Sequence, residues 1–254
     1  MPTVIAFANQ KGGVGKTTIA TQFAYYLRLQ KKKKVLFLDM DAQGSASETL
    51  NERNPIAGTT SQALFREELD GINVDKTPRG IDLIGSNQSP EAYDVESLPL
   101  AQVLNPKKWL APILGNYDYV VIDCPPSLGR RLAASLILAD FVVCPIKLSG
   151  YAVSGLKSLF STIVQIQQGA NSGLQILGIA VNEYQDNAVQ RKALAAVNDA
   201  IPGQIFKKKI HPRSPIDVAS AGTPITEVRN GKRACEEMTE LFKEMLGRMT
   251  KLAK

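Results

Sequence analysis

Cysteine is scarce in this chain. Three occur in 254 residues, Cys124, Cys144 and Cys235. They lack the paired spacing of a metal site, and two of them sit inside apolar runs. That excludes a disulfide framework and reads as reduced, mostly buried thiols. Long hydrophobic runs are also missing, since none approaches the ~18–20 residues that span a bilayer. The N-terminus lacks the apolar core of a secretory leader, because a glycine-rich stretch begins where that core should lie. Acidic residues are in deficit, 24 against 30 Lys and Arg, giving a net charge of +6 and a pI near 9.2. The excess favours a polyanionic partner. There is no internal repeat and no low-complexity tract. At 44% hydrophobic and 21% charged residues the composition is that of a globular protein. A soluble, cytoplasmic chain is expected.

What is present is a recurring order of apolar run, turn and amphipathic stretch. Strands are predicted at 3–9, 34–41, 80–86, 117–127, 140–147 and 174–182, with a short one at 203–206. Helices are predicted at 16–30, 129–138, 150–168, 187–200 and 231–250. The strands are continuous in Val, Ile and Leu rather than alternating with polar residues, which indicates a sheet buried on both faces. Parallel strands need crossover helices, and the intervening segments supply them. The expected fold is therefore α/β, a doubly wound, mostly parallel sheet with helices on both faces, in one domain over 1–254. Residues 51–78 are polar and irregular and read as a helix-loop excursion. The lysine run at 31–34 reads as a solvated turn, because it lies at the opposite end of the sheet from the glycine-rich loop.

In such sheets ligands bind beyond the carboxyl ends of the strands. There the first strand runs into NQKGGVGKTT, residues 9–18. The strict phosphate-loop pattern would place glycine at position 10, which is Gln10, and a second lysine follows it, Lys11. Gly12, Gly13 and Gly15 let the backbone turn tightly, Val14 lying between them, so that successive N–H groups face a phosphate at a helix start. Lys16 adds a point charge near the β- and γ-phosphates, Thr17 is suited to Mg²⁺, and Thr18 to the α-phosphate. Asp123 ends a strand, where a metal-bound water needs an acceptor. Asp39 and Asp41, one residue apart, share a face of an extended chain. One of them could hold the attacking water, and Asp39 is grouped with Thr17 and Asp123 at the metal. Ser45 is the expected N-cap of the stretch SASETL.

The segments KGGVGKTT, DMDAQG and DCPPS, in this order, resemble the deviant-Walker ATPases, specifically the ParA partition proteins. The segments IDLIGSNQSPEAYDVES, YAVSGLKSLFSTI, GIAVNEY and DVASAGTPITEVRNGKRACEEMTEL extend the resemblance along the chain. It implies that a residue other than glycine is ordinary at Gln10. It further implies that Lys11 reaches the phosphates bound by the other subunit of a face-to-face, ATP-dependent homodimer, and that Lys16 and Thr17 keep the usual roles. By the same resemblance Asp123 lies behind Mg²⁺, Asp41 positions the hydrolytic water, and Asn182 reads adenine. The segment 211–215, with Pro212 and Arg213, would close over the base. ATP, ADP and Mg²⁺ are the implied ligands. Ala42 stands where the family commonly has proline, and no helix-turn-helix extension precedes the first strand, which resembles the short form.

The resemblance also implies DNA binding without sequence preference, on a nucleoid, with hydrolysis stimulated by a ParB-like centromere-binding partner. Residues 201–254 hold eleven Lys and Arg against six Asp and Glu, a net +5. Lys207, Lys208, Lys209, Arg213, Arg229, Lys232 and Arg233 are the candidate DNA contacts. Two other readings share the nucleotide site. A MinD-like membrane-positioning ATPase needs an amphipathic C-terminal helix, and Ala234, Met238, Leu241, Met245, Met249 and Leu252 do form one stripe. A helix docked on its own sheet gives the same stripe, and no membrane partner is expected. An iron–sulfur reductase of the nitrogenase iron-protein type needs two cysteines at a dimer axis, where Cys124 and Cys144 are poorly placed.

Overall fold

The computed structural model describes residues 1–149 and 152–252. Seven strands form one sheet in the order β3-β4-β2-β5-β1-β6-β7. They are β1 (Thr3–Phe7), β2 (Val35–Asp39), β3 (Asp75–Lys76), β4 (Asp82–Ile84), β5 (Tyr119–Asp123), β6 (Phe141–Lys147) and β7 (Gln175–Asn182). All neighbouring pairs are parallel except β3 with β4, at the edge. The helices are α1 (Lys16–Tyr25), α2 (Ser45–Leu50), α3 (Pro90–Asp94), α4 (Asn105–Leu114) and α5 (Arg130–Leu138). They continue with α6 (Ala152–Gly169), α7 (Ala188–Ala200), α8 (Ser214–Ser220) and α9 (Lys232–Leu252).

Successive strand residues point to opposite faces, and each face has its own core. Val4, Ala6, Leu36, Leu38, Val120 and Ile122 meet Leu110 of α4, Leu132 and Leu136 of α5, Leu159 of α6 and Val197 of α7. Ile5, Phe7, Phe37 and Val121 meet Phe23 of α1 and Met238, Leu241 and Phe242 of α9. Phe23 is the centre of an aromatic chain, 5.9 Å from Phe7 and 5.3 Å from Phe242 between ring centroids. The result is the expected three-layer, doubly wound fold, with β2 buried at every position.

Several elements depart from the sequence expectation. The predicted strand at 203–206 is reduced to a single bridge, Ile179 to Ile205. The excursion at 51–78 holds a 3₁₀ turn (Ala63–Phe65) and the edge strand β3. Helix α4 lies where no element is predicted, and it contains two prolines. Pro106 lies in the first turn, where its missing N–H costs nothing, and Pro112 falls in the last. The predicted helix at 150–168 is seen as α6, its residues 150 and 151 lying outside the described residues. The expected Ser45 cap is corrected: Gly44 precedes α2 in the left-handed region (φ 68), and the Asp39 carboxylate accepts from Ser47 N at 2.8 Å. The capping carboxylate arrives from a strand tip rather than from the adjacent residue.

Candidate functional site

The parallel strands β1, β2 and β5 end side by side, with Phe7, Asp39 and Asp123 in register. Beyond β1 the chain turns through Gly13 (φ 69) and Gly15 (φ 92) into α1. Those backbone angles suit glycine, and at Gly15 space requires it as well: a Cβ would collide with the Asn182 side-chain amide. Two asparagines fix the loop. Asn9 Nδ2 donates to Pro145 O on β6 at 2.6 Å, while its Oδ1 accepts from Lys11 N at 2.9 Å. Asn182, at the end of β7, donates from Nδ2 to Val14 O at 3.0 Å. Val14 itself is buried and Gly12 is exposed with open space around it.

Lys16 heads α1 and is 7% exposed. Among the described residues its ammonium has no hydrogen-bond acceptor and no ion-pair partner. Thr17 Oγ1 donates to Asp123 Oδ2 at 2.6 Å, leaving Asp123 Oδ1 buried and unpaired. Thr18 is half-buried in the same turn. Lys11 stands exposed on the loop, its side chain unpartnered among the described residues.

Asp39 and Asp123 are fully buried neighbours. Burial lifts the Asp39 carboxyl to about 6, against the pull of its bonds from Ser47 and Asp41 N. Burial and then the Asp39 charge raise Asp123 well above the ordinary carboxylate range, with Thr17 and Lys16 opposing. Both Asp39 oxygens are engaged, Oδ1 by Asp41 N at 3.1 Å and Oδ2 by Ser47 N and Oγ at 2.8 and 2.7 Å. Asp39 thus builds the loop that carries Asp41. Asp41 is half-exposed past the end of β2, and its carboxylate accepts from Gln43 N at 3.0 Å.

Two side chains that sequence reasoning missed support these loops. Arg131 is 2% exposed and donates to Met40 O at 3.2 Å, Ser61 Oγ at 3.3 Å and Ala92 O at 2.6 Å. Glu96 reaches the start of α5, where Oε2 accepts from Arg130 N at 2.6 Å and Oε1 from Arg131 N at 3.3 Å. The signal was visible: two arginines at a helix N-terminus oppose the dipole and call for a carboxylate.

The segment at 211–215 lies beside the end of β7. Tyr184 N donates to Ile210 O at 2.8 Å, and the Tyr184 and His211 rings meet edge-on at 5.7 Å. Glu237 of α9 anchors the segment, accepting from His211 N at 3.1 Å and from Arg213 Nη2 at 2.9 Å. Burial would raise Glu237, but Arg213 and His211 outweigh it and hold the carboxyl below its usual range. Pro212 is exposed, and Asn182 Oδ1 and Arg213 Nε are buried without partners. The structure therefore places Asn182 against the glycine loop, and Pro212 and Arg213 in the segment that follows the bonds of Ile210 to Val181 and Tyr184.

The candidate DNA contacts do not share one state. Lys208 is paired with Glu240 at 2.5 Å, Lys209 lies over the Tyr184 ring at 5.0 Å, and Arg213 is held by Glu237. Lys207, Arg229, Lys232 and Arg233 are exposed. The α9 stripe is spent on the core, with Ala234, Met238, Leu241, Met245 and Met249 at most 5% exposed and Leu252 at 43%. No helix among the described residues is long and apolar enough to cross a membrane. Cys124 and Cys144 are fully buried, and burial pushes the Cys124 thiol up to about 12, so neither is placed to hold a cluster at a surface.

Comparison with known proteins bears on the family and the fold. Residues 2–176 match the model of an AAA domain family. The chain is 32% identical to the chromosome partitioning protein ParA of Myxococcus xanthus, over 97% of this chain and 89% of that one. It is 30% identical to the chromosome-partitioning ATPase Soj of Treponema pallidum, over 98% of each. A plasmid partition protein of Borrelia burgdorferi bound to AMPPNP superposes with a TM-score of 0.82 over 98% of this chain and all of that one; at 22% identity it speaks for the fold alone. Cobyrinic acid a,c-diamide synthase of Mycobacterium smegmatis, solved with an ATP analogue and magnesium, gives 0.75 at 27% identity, covering 87% and 92%.

Proposed function

Because the chain belongs to the ParA-type partition ATPases, we propose that it is a positioning ATPase acting as one domain over 1–254. Two copies close on ATP, the dimer binds DNA without sequence preference, and a ParB-like partner stimulates hydrolysis to ADP and so releases it from the nucleoid. The observation that carries this reading is Lys16, a cation almost wholly buried with no ion-pair or hydrogen-bond partner among the described residues, Asp123 acting on it only through its field. A buried charge without a counter-ion is costly, and a triphosphate seated on the glycine loop supplies the missing one.

The other orphans fit the same ligand. Thr17 Oγ1 and, through water, Asp123 Oδ1 would hold Mg²⁺, which when bound neutralises charge on the β- and γ-phosphates. The Gly12, Gly13, Val14 and Gly15 backbone cradles the phosphates, with Thr18 toward the α-phosphate. Asn182 Oδ1 is free to accept from the adenine amino group, and the segment with Pro212 and Arg213 lies beside it. Asp41, on the loop that Asp39 organises, orients the attacking water. Lys11 projects from the same surface and reaches the phosphates of the second copy. Triphosphate buried between two chains needs cations from both.

The test compares three variants. Lys16→Ala should lose ATP binding, measured with a fluorescent analogue. Asp41→Ala should bind ATP and accumulate as a dimer without turnover. Lys11→Ala should bind ATP yet stay monomeric by light scattering. A Lys11→Ala protein that still dimerises on ATP and hydrolyses it under stimulation refutes the shared-site reading.

A further inference from the structure

The edge of the sheet where the parallel strands begin, opposite the glycine loop, carries the chain's lysine run. Helix α1 leaves through one wide turn, Tyr26–Gln30, and Lys32 (φ 56) then reverses the chain into β2. This turn divides the lysines between two grooves. Lys31 and Lys33 line one of 590 Å³, floored by Thr3, Tyr119 and Phe141. Lys32 and Lys34 line the other, of 760 Å³, together with Arg28, Lys76 and Tyr117.

Part of this positive charge is spent within the protein. Lys31 Nζ lies over the Tyr26 ring at 5.4 Å. Lys76 is paired with Asp82 at 2.5 Å, and Asp82 also accepts from Tyr117 at 2.8 Å. Lys33 reaches Asp118 only at 3.8 Å. Arg28 donates from Nε to Gly80 O at 2.7 Å, which leaves its two terminal nitrogens without an acceptor among the described residues. Lys32 and Lys34 have no side-chain partner among those residues either. Six cations thus share this end of the sheet with three carboxylates, Asp82, Asp118 and Asp140, the last accepting from Val4 N at 2.8 Å. Of the expected C-terminal contacts, Lys208, Lys209 and Arg213 are engaged, while Lys207, Arg229, Lys232 and Arg233 are exposed.

We propose that this strand-start edge, residues 31–34 with Arg28 and Lys76, is a surface on which the chain holds the phosphate backbone of duplex DNA. The proposal rests on the DNA-binding reading above and places the contact away from the segment 207–233. A cation row in which the side chains of Arg28, Lys31, Lys32 and Lys34 meet no protein carboxylate among the described residues is what repeated backbone phosphates neutralise, with release of condensed counter-ions. An anionic bilayer fits less well. The apolar residues lining these grooves are buried or half-buried, so none stands out to insert among lipids. The edge lies on the far side of the sheet from Lys11 and Asp41. A nucleotide-closed dimer would therefore carry two such edges facing outward and could tie two DNA segments together.

The experiment is anisotropy titration of a labelled random duplex of about 30 bp, with a non-hydrolysable ATP analogue, from about 50 to 300 mM salt. The variants are Lys31→Gln/Lys32→Asn/Lys34→Gln, with Asn chosen because it tolerates positive φ, and Arg229→Gln/Lys232→Gln/Arg233→Gln for comparison. The first triple should lose at least about tenfold in affinity near 100 mM salt, and its slope of log K against log salt should fall by about 3. Its melting temperature, nucleotide affinity and ATP-dependent dimerisation should match wild type. If the first triple binds DNA with unchanged affinity and slope while the second loses both, the edge proposal is overturned and DNA binding stands. Should wild type bind no duplex in any nucleotide state, the DNA-binding reading falls, and the edge proposal with it. Lysine-dependent flotation with phosphatidylglycerol vesicles, without a matching effect on DNA, would assign the edge to a membrane and overturn the proposal.

Discussion

Replacing Arg131 by methionine keeps the bulk of the side chain and removes its charge and donors. Arg131 is 2% exposed, and its donors satisfy the carbonyls of Met40 and Ala92. Both carbonyls would be left in a site that Met cannot serve, and each orphan costs about 1–3 kcal/mol. Part of this is returned, because burial already holds the guanidinium below its ordinary pKa. A net loss of about 2–4 kcal/mol is expected once the cation's own desolvation is relieved. Equilibrium urea denaturation followed by circular dichroism measures it, with an unchanged m-value as the two-state check. Met40 immediately precedes Asp41, so turnover should fall as well. Nucleotide affinity should be kept, because no Arg131 bond reaches the glycine loop. Arg131→Lys cannot fork to several acceptors and should fall between the two. A methionine variant within about 1 kcal/mol of wild type would show that the two carbonyls do not depend on Arg131, and the argument would fail.

Two further outcomes follow from the same geometry. With the Asp39 carboxyl raised to about 6, the folded chain holds a proton that the unfolded chain releases near pH 4. Its stabilising contribution is complete below about pH 4 and is lost as pH rises through about 6. Asp39→Asn should therefore gain stability relative to wild type as pH rises from 4 to 7 in nucleotide-free protein, by on the order of 1 kcal/mol or more, and it also relieves the Asp39 charge that raises Asp123; parallel pH profiles of the two would contradict this. Gly15→Ala must adopt φ 92 and displace the Asn182 amide, which breaks its bond to Val14 O. A stability loss of about 1–3 kcal/mol and a nucleotide-affinity loss exceeding tenfold are expected, from thermal melts and analogue titration, and unchanged affinity would refute the coupling.

The glycine loop, its lysines and the strand-tip carboxylates were legible in the sequence because that chemistry is contiguous: a strand, a tight turn and a helix start fall within residues 3–25. The uninterrupted apolar strands likewise announced a sheet buried on both faces. Helix α4 carries two prolines, whose effect depends on their place in the turn, and the sequence left open how Asp39 and Asp41 divide their roles because it placed both on one extended strand. In the structure β2 stops at Asp39, which turns inward to Ser47.

What the sequence alone determined is what neighbouring residues decide among themselves: local conformation, and the chemistry carried by a short motif. The tertiary structure decided what depends on distant partners. It set Asp39 beside Asp123 across β2 and β5, brought Arg131 to carbonyls 91 and 39 residues away, and held Gly15 against Asn182. It also divided four consecutive lysines between two grooves, where a sequence shows only a charged turn. Whether a charge is solvated, paired or left waiting for a ligand depends on which groups the fold brings within a few ångströms, and chain order does not encode that directly.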